Sequence, residues 1–344
     1  MLFSILFNKR SLLFCAIALI LCCGALYFCA YIPHSRESTE SKSLFIRNGD
    51  GLNVIALKLK QHDLIRSRHF FKWFSVLLGK RRSYKRGEYL IEGNVSVMDL
   101  VKILSEGKTI LIPVTFPEGL RMDEMFTILR SSGYDNQGIY ESLSRDPQFI
   151  SKYIPSIPAN SLEGFLFPDT YKFSKDSSEL IILKTMVKTF FKRLPDQYDS
   201  MASHVGLTFY EAVILASIIE KETSVPDERN LISSVFHNRL KKPMPLQTDP
   251  TVIYGIKNFD GNLTKKQLRT NTPYNTYMNY GLPPTPIANP GLDSILAAVN
   301  PADTEFLYFV AKGDGTHEFS VNYKDHRFAV AKYQKRKNKE YRSF

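Results

Sequence analysis

Twenty consecutive residues without a charge, Leu12 to Tyr31, constrain this chain more than any other feature. A helix of that length crosses a hydrocarbon core about 30 Å thick. Lys9 and Arg10 precede the run, and Ile32 and Pro33 follow it. A cleaved signal peptide would carry a shorter apolar region, about 7–15 residues, and a small-x-small cleavage site. Neither Phe28-Cys29-Ala30 nor Tyr27-Phe28-Cys29 fits, and the bulky residues before Cys29 argue against lipoprotein cleavage. Residues 12–32 therefore read as an uncleaved transmembrane anchor behind a short cytoplasmic tail, residues 1–11. Charge alone does not orient it, since Arg36, Lys42 and Arg47 balance Lys9 and Arg10. Cysteine usage does more. All four cysteines (Cys15, Cys22, Cys23, Cys29) lie inside the run, and a body without cysteine suits an oxidising compartment. The expected location is the inner membrane, single-pass, with the body outside.

The 344-residue length leaves room for two domains, and 44% hydrophobic content is ample for their cores. A net charge of +11 is a common mark of nucleic-acid binding, yet no nucleic-acid motif accompanies it. The densest patches, Lys80–Arg86 (KRRSYKR) and Lys332–Arg342 (KYQKRKNKEYR), read as solvated faces or as contacts with anionic headgroups and wall polymers. The seven histidines are scattered, with no HExxH and no His-x-x-x-His, and no cysteine ligand exists beyond the membrane run. There is no GxSxG elbow and no glycine-rich phosphate loop. Neither a metal nor a cofactor is expected, which leaves carboxylate chemistry.

Past the anchor, residues 33–43 hold the polar stretch SRESTESKS and form a linker. Residues 44–108 read as a small α/β domain. LFIR (44–47) is a strand, GDG (49–51) a turn, and Leu52, Ile55, Ala56 and Leu59 a helical stripe. A second helix carries Phe70 to Leu77, EYLIE (88–92) is a strand, and Ser96 caps a further helix. Residues 109–344 read as a larger α+β domain that opens on the strand TILIPVTF (109–116). EGFLFPDTY (163–171) is too aromatic for a linker and too broken for a helix. Phe165, Phe167 and Tyr171 beside Glu163 and Asp169 suit either a sugar cleft or a packed turn. Ser178–Arg193 is an amphipathic helix, Asp227–Leu240 another, and LYFVAKGDGTHEF a hairpin around Gly313-Asp314-Gly315.

The chemistry is placed at Glu220. Thr208 with Glu211 three residues on is a capping box, and the AVILASII run behind it predicts a helix buried on most sides. Glu220 then falls on the face of Val213, Ala216 and Ser217, whose small residues leave room beside it. A carboxyl ending an apolar face loses hydration when charged and so holds its proton, as a general acid for glycosidic cleavage must. The alternative is a solvated glutamate, or one paired with Lys221 or Arg229. Ordinary glycosidases need two carboxyls, about 5–5.5 Å apart when retaining and about 6.5–9.5 Å when inverting. Glu222 cannot face Glu220 from two residues away, whereas Asp249 or Glu163 could if the loops fold over.

The runs ASIIEKETSVPDERNLISSVFHNRL and PLQTDPTVIYG resemble the signature of the endolytic murein transglycosylases, membrane-anchored lytic enzymes of the YceG type. EGFLFPDTY, PYNTY (273–277), GLPPTPIANPG (281–291) and YFVAKGDGTHEF (308–319) extend the likeness over most of the chain beyond the anchor. The resemblance implies that residues 44–108 are a LysM-like domain and that Glu220, first of the EKET run, is catalytic on a buried helix. It implies a mechanism in which that one glutamate protonates the bridging oxygen and then acts as base for the sugar's own 6-hydroxyl, leaving a 1,6-anhydromuramyl end. Glu163, Asp169, Asn238, Gln247, Thr248, Asp249, Tyr254, Tyr274, Asn275 and Tyr277 are candidates for substrate binding. The implied partners are peptidoglycan strands, the membrane and peptidoglycan synthases, not nucleic acid. A hydrolytic muramidase and a non-catalytic wall-binding scaffold remain as alternatives.

Overall fold

The charge-free run lies within helix α1 (Lys9–Tyr31) of the computed structural model, which describes residues 9–34, 41–134 and 138–334. Leu13–Tyr31 is the one single helix among the described residues with the length and hydropathy to cross a bilayer. Its end is built into the domain that follows. Ala30 is buried, and Arg66 donates to the carbonyls of Ile32 and Pro33 with its guanidinium 4.4 Å from the centre of the Phe28 ring. Residues 35–40 of the polar linker and the basic tail from 335 onward lie outside the described residues.

The chain divides into two compact units, Met1–Ile112 with Lys172–Ser177, and Pro113–Tyr171 with Ser178–Phe344. In the first, Leu44 and Ile46 alternate inward along β1 (Lys42–Ile46), because side chains two apart share a face of a strand. The core is closed by Ile55, Ala56 and Leu59 of α2 (Leu52–Gln61) and by Phe71 and Phe74 of α3 (Arg68–Leu77). β2 (Gly87–Ile91) runs antiparallel to β1 with Tyr89 opposite Leu44, and α4 (Val97–Glu106) adds Leu100, Val101 and Leu104. Ser96 and Asp99 cap α4 reciprocally.

β3 (Leu111–Thr115) leads into α5 (Met122–Ser131), α6 (Ile139–Leu143) and α7 (Pro147–Tyr153), and pairs with β4 (Thr170–Ser174). Then come α8 (Glu179–Arg193), α9 (Tyr198–His204) and α10 (Phe209–Glu222), the helix the second unit is built around. Thr208 and Glu211 cap α10 as the sequence predicts, and every residue from Ala212 to Ile219 is buried. Burying five Val, Leu and Ile side chains here stabilises the helix by about 1.5–3 kcal/mol each, enough to seat it with a carboxylate at its end. Thr223 turns extended, and Pro226 opens a short 3-10 turn before α11 (Arg229–Lys241).

Among the elements that went unread in the sequence are α12 (Asp249–Tyr254), which has a proline in its first turn, and α14 (Leu292–Val299), which packs along α10. Between them lies the single turn α13 (Lys265–Leu268). The hairpin β5 (Tyr308–Ala311) and β6 (His317–Ser320) forms as expected, followed by α15 (Tyr323–Tyr333). The EGFLFPDTY segment departs from the sugar-cleft expectation. Phe165, Phe167 and Tyr171 are buried, and Phe165 lies between Phe190 and Tyr210 with ring centres 5.2 and 6.2 Å away. Gly164, at φ +87°, turns the segment inward, where its rings find core neighbours.

Candidate active site

Glu220 stands on the last turn of α10, half-buried, and its Oε2 accepts a hydrogen bond from the Gly291 amide at 3.0 Å. The same helix face meets one extended segment, residues 285–291, at three successive points. A Cβ on Gly164 would lie 2.6 Å from Pro286 and 3.1 Å from Val213, so those three meet with no space to spare. One turn on, Ser217 accepts from the Ile287 amide at 3.0 Å, and Glu220 then takes Gly291. The room that small residues were expected to leave beside Glu220 is thus filled by this strap.

The strap is pinned by Asn289, which is fully buried. Its Oδ1 accepts from the amides of Gly164 and Leu166, and its Nδ2 donates to the Leu120 carbonyl and to Glu163. Its backbone exchanges hydrogen bonds with Gly119 and Leu120. Glu163, a candidate for substrate contact, is spent inside this frame. It is 3% exposed and accepts from the Met122 amide at 2.9 Å, from Asn289 at 3.0 Å and from the Tyr254 hydroxyl at 3.1 Å. Burial pushes its carboxyl up to about 7 despite those donors. Tyr254 in turn stacks edge-on against Tyr274, 4.9 Å between centres, and carries the Arg121 guanidinium over its other side.

The frame delivers a carboxylate that sequence spacing did not reveal. Glu118 lies in the loop after β3, open to solvent, and a Cβ on Gly291 would fall 2.0 Å from its Oε1. The neighbouring Gly119, at φ +76°, lies against Glu220, whose Cγ would be 3.4 Å from a Cβ there. Glu118 and Glu220 therefore bring their carboxyls to the same glycine. Desolvation, and next the charge of Glu220, hold the Glu118 carboxyl above the ordinary range; Arg229 opposes this and Asp293 adds to it. Arg229 is buried, bonded to Ser294 and 3.5 Å from Asp293. Lys221 donates to the Gly119 carbonyl at 3.1 Å.

A second polar cluster gathers at the start of α12. Thr248 is buried and donates to Glu222, whose carboxyl is pushed up to about 7 by burial, with Asp249 adding to the shift. The Tyr277 hydroxyl donates to Asp249 at 2.7 Å, and Gln247 is exposed beside them at φ +50°. Among the substrate-binding candidates, Gln247 and Asp249 are exposed and Tyr254, Tyr274 and Tyr277 half-buried. Others are occupied internally. Asn275 is fully buried, its amide donating to the carbonyls of Gln267, Leu268 and Thr270. Asn238 donates to the carbonyls of Thr304 and Phe306, flanked by His237 on Ala298 and Arg239 on Leu307, so this polar run is a clamp on backbone. Asp169 pairs with Arg193 at 2.6 Å, among none of these groups. Among the described residues no three of His, Cys, Asp and Glu converge as metal ligands do.

The sequence pattern of the YceG-like family matches residues 44–332. A Bacillus subtilis protein named endolytic murein transglycosylase is 33% identical over 323 residues, 90% of this chain and 89% of that protein. A Streptococcus pneumoniae protein of the same name is 30% identical across 88% of this chain, which spans 60% of the pneumococcal protein's length. The crystal structure of a yceG-like protein from Listeria monocytogenes superposes with a TM-score of 0.58 at 30% identity, over 85% of this chain and 99% of that one. The chain belongs to the YceG-like family.

Proposed function

We propose that this protein is a membrane-anchored endolytic transglycosylase that cuts peptidoglycan glycan strands close to the bilayer and so limits the length of strands leaving the synthases. The observation that carries the reading is Glu220, a half-exposed carboxylate closing a buried helix, in a chain whose curated relatives are named for this activity. Glu220 gives a proton to the bridging oxygen as the C1–O4 bond breaks. It then takes the proton of the muramyl 6-hydroxyl as O6 closes on C1, leaving a 1,6-anhydro end and consuming no water. Gln247, Asp249 and Tyr277 line the route of a strand past Thr248, and Tyr274 offers a ring to it. The first unit, read as LysM-like over residues 44–108, holds wall polymer, while residues 109–344 carry the chemistry. The tail before α1 is cytoplasmic and the body lies outside the inner membrane.

A hydrolytic muramidase is the second reading, favoured by one observation: Glu118 places a further carboxyl beside Glu220. Digests of purified wall glycan separate the two, since the anhydro product is lighter by one water. Anhydro ends are expected; a digest dominated by the heavier product overturns the lytic reading. Glu220→Gln is expected to lower cleavage by at least ~10²-fold in a folded protein, and Glu222→Gln far less. Near-normal activity of the folded Glu220→Gln variant removes Glu220 from the mechanism, and a wild-type protein that binds glycan without cutting it leaves only a scaffold.

A further inference from the structure

We propose that Glu118 is a positioning residue for Glu220: the two carboxyls, set against Gly291, titrate as one pair that keeps a single proton for the glycosidic oxygen. The inference rests on the lytic reading of Glu220. Three contacts bring the groups together. The Gly291 amide donates to Glu220 Oε2 at 3.0 Å, the Gly291 Cα carries no side chain where the Glu118 carboxyl sits, and Gly119 lies against the Glu220 side chain. Asn289 fixes all three, since its backbone is bonded to Gly119 and Leu120 and it stands two residues before Gly291. Two carboxyls held this way resist ionising together, because the second charge must form beside the first.

The charged groups that face Glu118 give the pair its balance. Glu220 and Asp293 favour retention of the proton, Arg229 opposes it, and Lys221 is turned to the Gly119 carbonyl. In the resting pair one proton is present. It passes to O4 as the C1–O4 bond breaks, and both carboxylates then face the developing oxocarbenium ion, where two negative charges stabilise a positive one. When O6 bonds to C1, its proton returns to the pair. Glu118 bonds to neither sugar nor leaving oxygen in this scheme; it acts through the pair it forms with Glu220 against Gly291.

Two substitutions test this without disturbing the fold. Glu118→Gln keeps shape on an open side chain. Gly291→Ala is tolerated by the backbone, at φ −74°, but puts a methyl 2.0 Å from Glu118 Oε1, and the flexible Glu118 side chain must swing away. In both, the alkaline limb of kcat/KM on wall glycan is expected to move to lower pH by about one unit, the scale at which two groups count as coupled. Cleavage near neutrality should fall about tenfold and recover on acidification, and Glu118→Asp should recover part of the loss. Carbon-13 titration of the glutamate carboxyls reads the coupling without any turnover: Glu118 should titrate at lower pH in Glu220→Gln than in the wild type. An unmoved Glu118 titration overturns the proposal even if the wild type proves inactive, whereas a moved titration in an inactive wild type spares the pair and sinks the transglycosylase reading. A uniform loss across pH in Glu118→Gln overturns it as well, by making Glu118 merely structural. Loss as deep as in Glu220→Gln, with reducing ends in the wild-type digest, overturns it by making Glu118 the base of a hydrolase.

Discussion

Asn289 and Glu163 illustrate how far a single residue's role depends on partners that sequence spacing does not bring together. Each of the four side-chain hydrogen bonds of Asn289 goes to a group more than a hundred positions away, so nothing near it in the chain marks it. Glu220 was legible for the opposite reason: it breaks an apolar helical pattern made by its own neighbours. Glu163 was legible as a motif residue but not as a buried one. Its carboxyl, ordinarily near 4.5, is pushed up to about 7 by burial, so the folded protein binds more protons than the unfolded chain between those values. Stability from this group is fully present below pH 4.5, falls as pH rises to about 7, and is level above it. Glu163→Gln mimics the protonated form, and should remove a pH-dependent loss on the order of 3 kcal/mol across that window. Urea melts of the wild type and the variant at several pH values check this. Parallel curves would mean that Glu163 is ionised at no such cost.

At the scale of elements, α10 and the strap that lies along it decide the geometry around Glu220 together. The start of α10 was readable because a capping box is a local device, and its burial because the run AVILASII holds one serine among apolar residues and so offers no broad polar face. In the sequence the strap showed only as part of the GLPPTPIANPG run (281–291). Prolines say that 283–290 is no helix, but not that Val213, Ser217 and Glu220 would each dock on it. α14 escaped notice because a helix of eight residues gives too few turns for periodicity to declare itself. Gly164 is the tightest point of the assembly. An alanine there must adopt φ +87° and place its methyl 2.6 Å from Pro286. Left-handed backbone costs about 1–2 kcal/mol for a residue with a side chain and overpacking about 1–3 kcal/mol, so Gly164→Ala should destabilise the protein by about 2–5 kcal/mol. Chemical denaturation measures it, and a loss under ~0.5 kcal/mol would show that the strap yields easily and does not hold Glu220 in place.

For the molecule as a whole, the N-terminal apolar helix is more than an appendage, because the last turn of α1 contributes to the core of the first unit. Ala30 is buried there, Arg66 binds the carbonyls that follow the helix, and Cys29 and Ile32 line one small cavity with Leu64, Ile65, Phe70, Val95 and Val97. The helix itself was readable from composition alone, as twenty uncharged residues in succession; its end packing was not, since it joins residues 28–33 to residue 66. A chain beginning at Ser41 loses the span and with it the only single described helix able to enter a bilayer. It should sediment as one species without detergent. It should also lose stability in the first unit, by about 3 kcal/mol or more, on the scale of two charged hydrogen bonds with an Ala side chain, while the Glu220 frame, contained in the second unit, keeps its activity on soluble glycan. Hydrogen exchange followed by mass spectrometry reads the two units separately. Faster exchange confined to β1, α2, α3 and α4 is the expected result; unchanged exchange there would show that the helix end adds nothing to the core. Equal loosening of α10 would contradict the independence of the Glu220 frame.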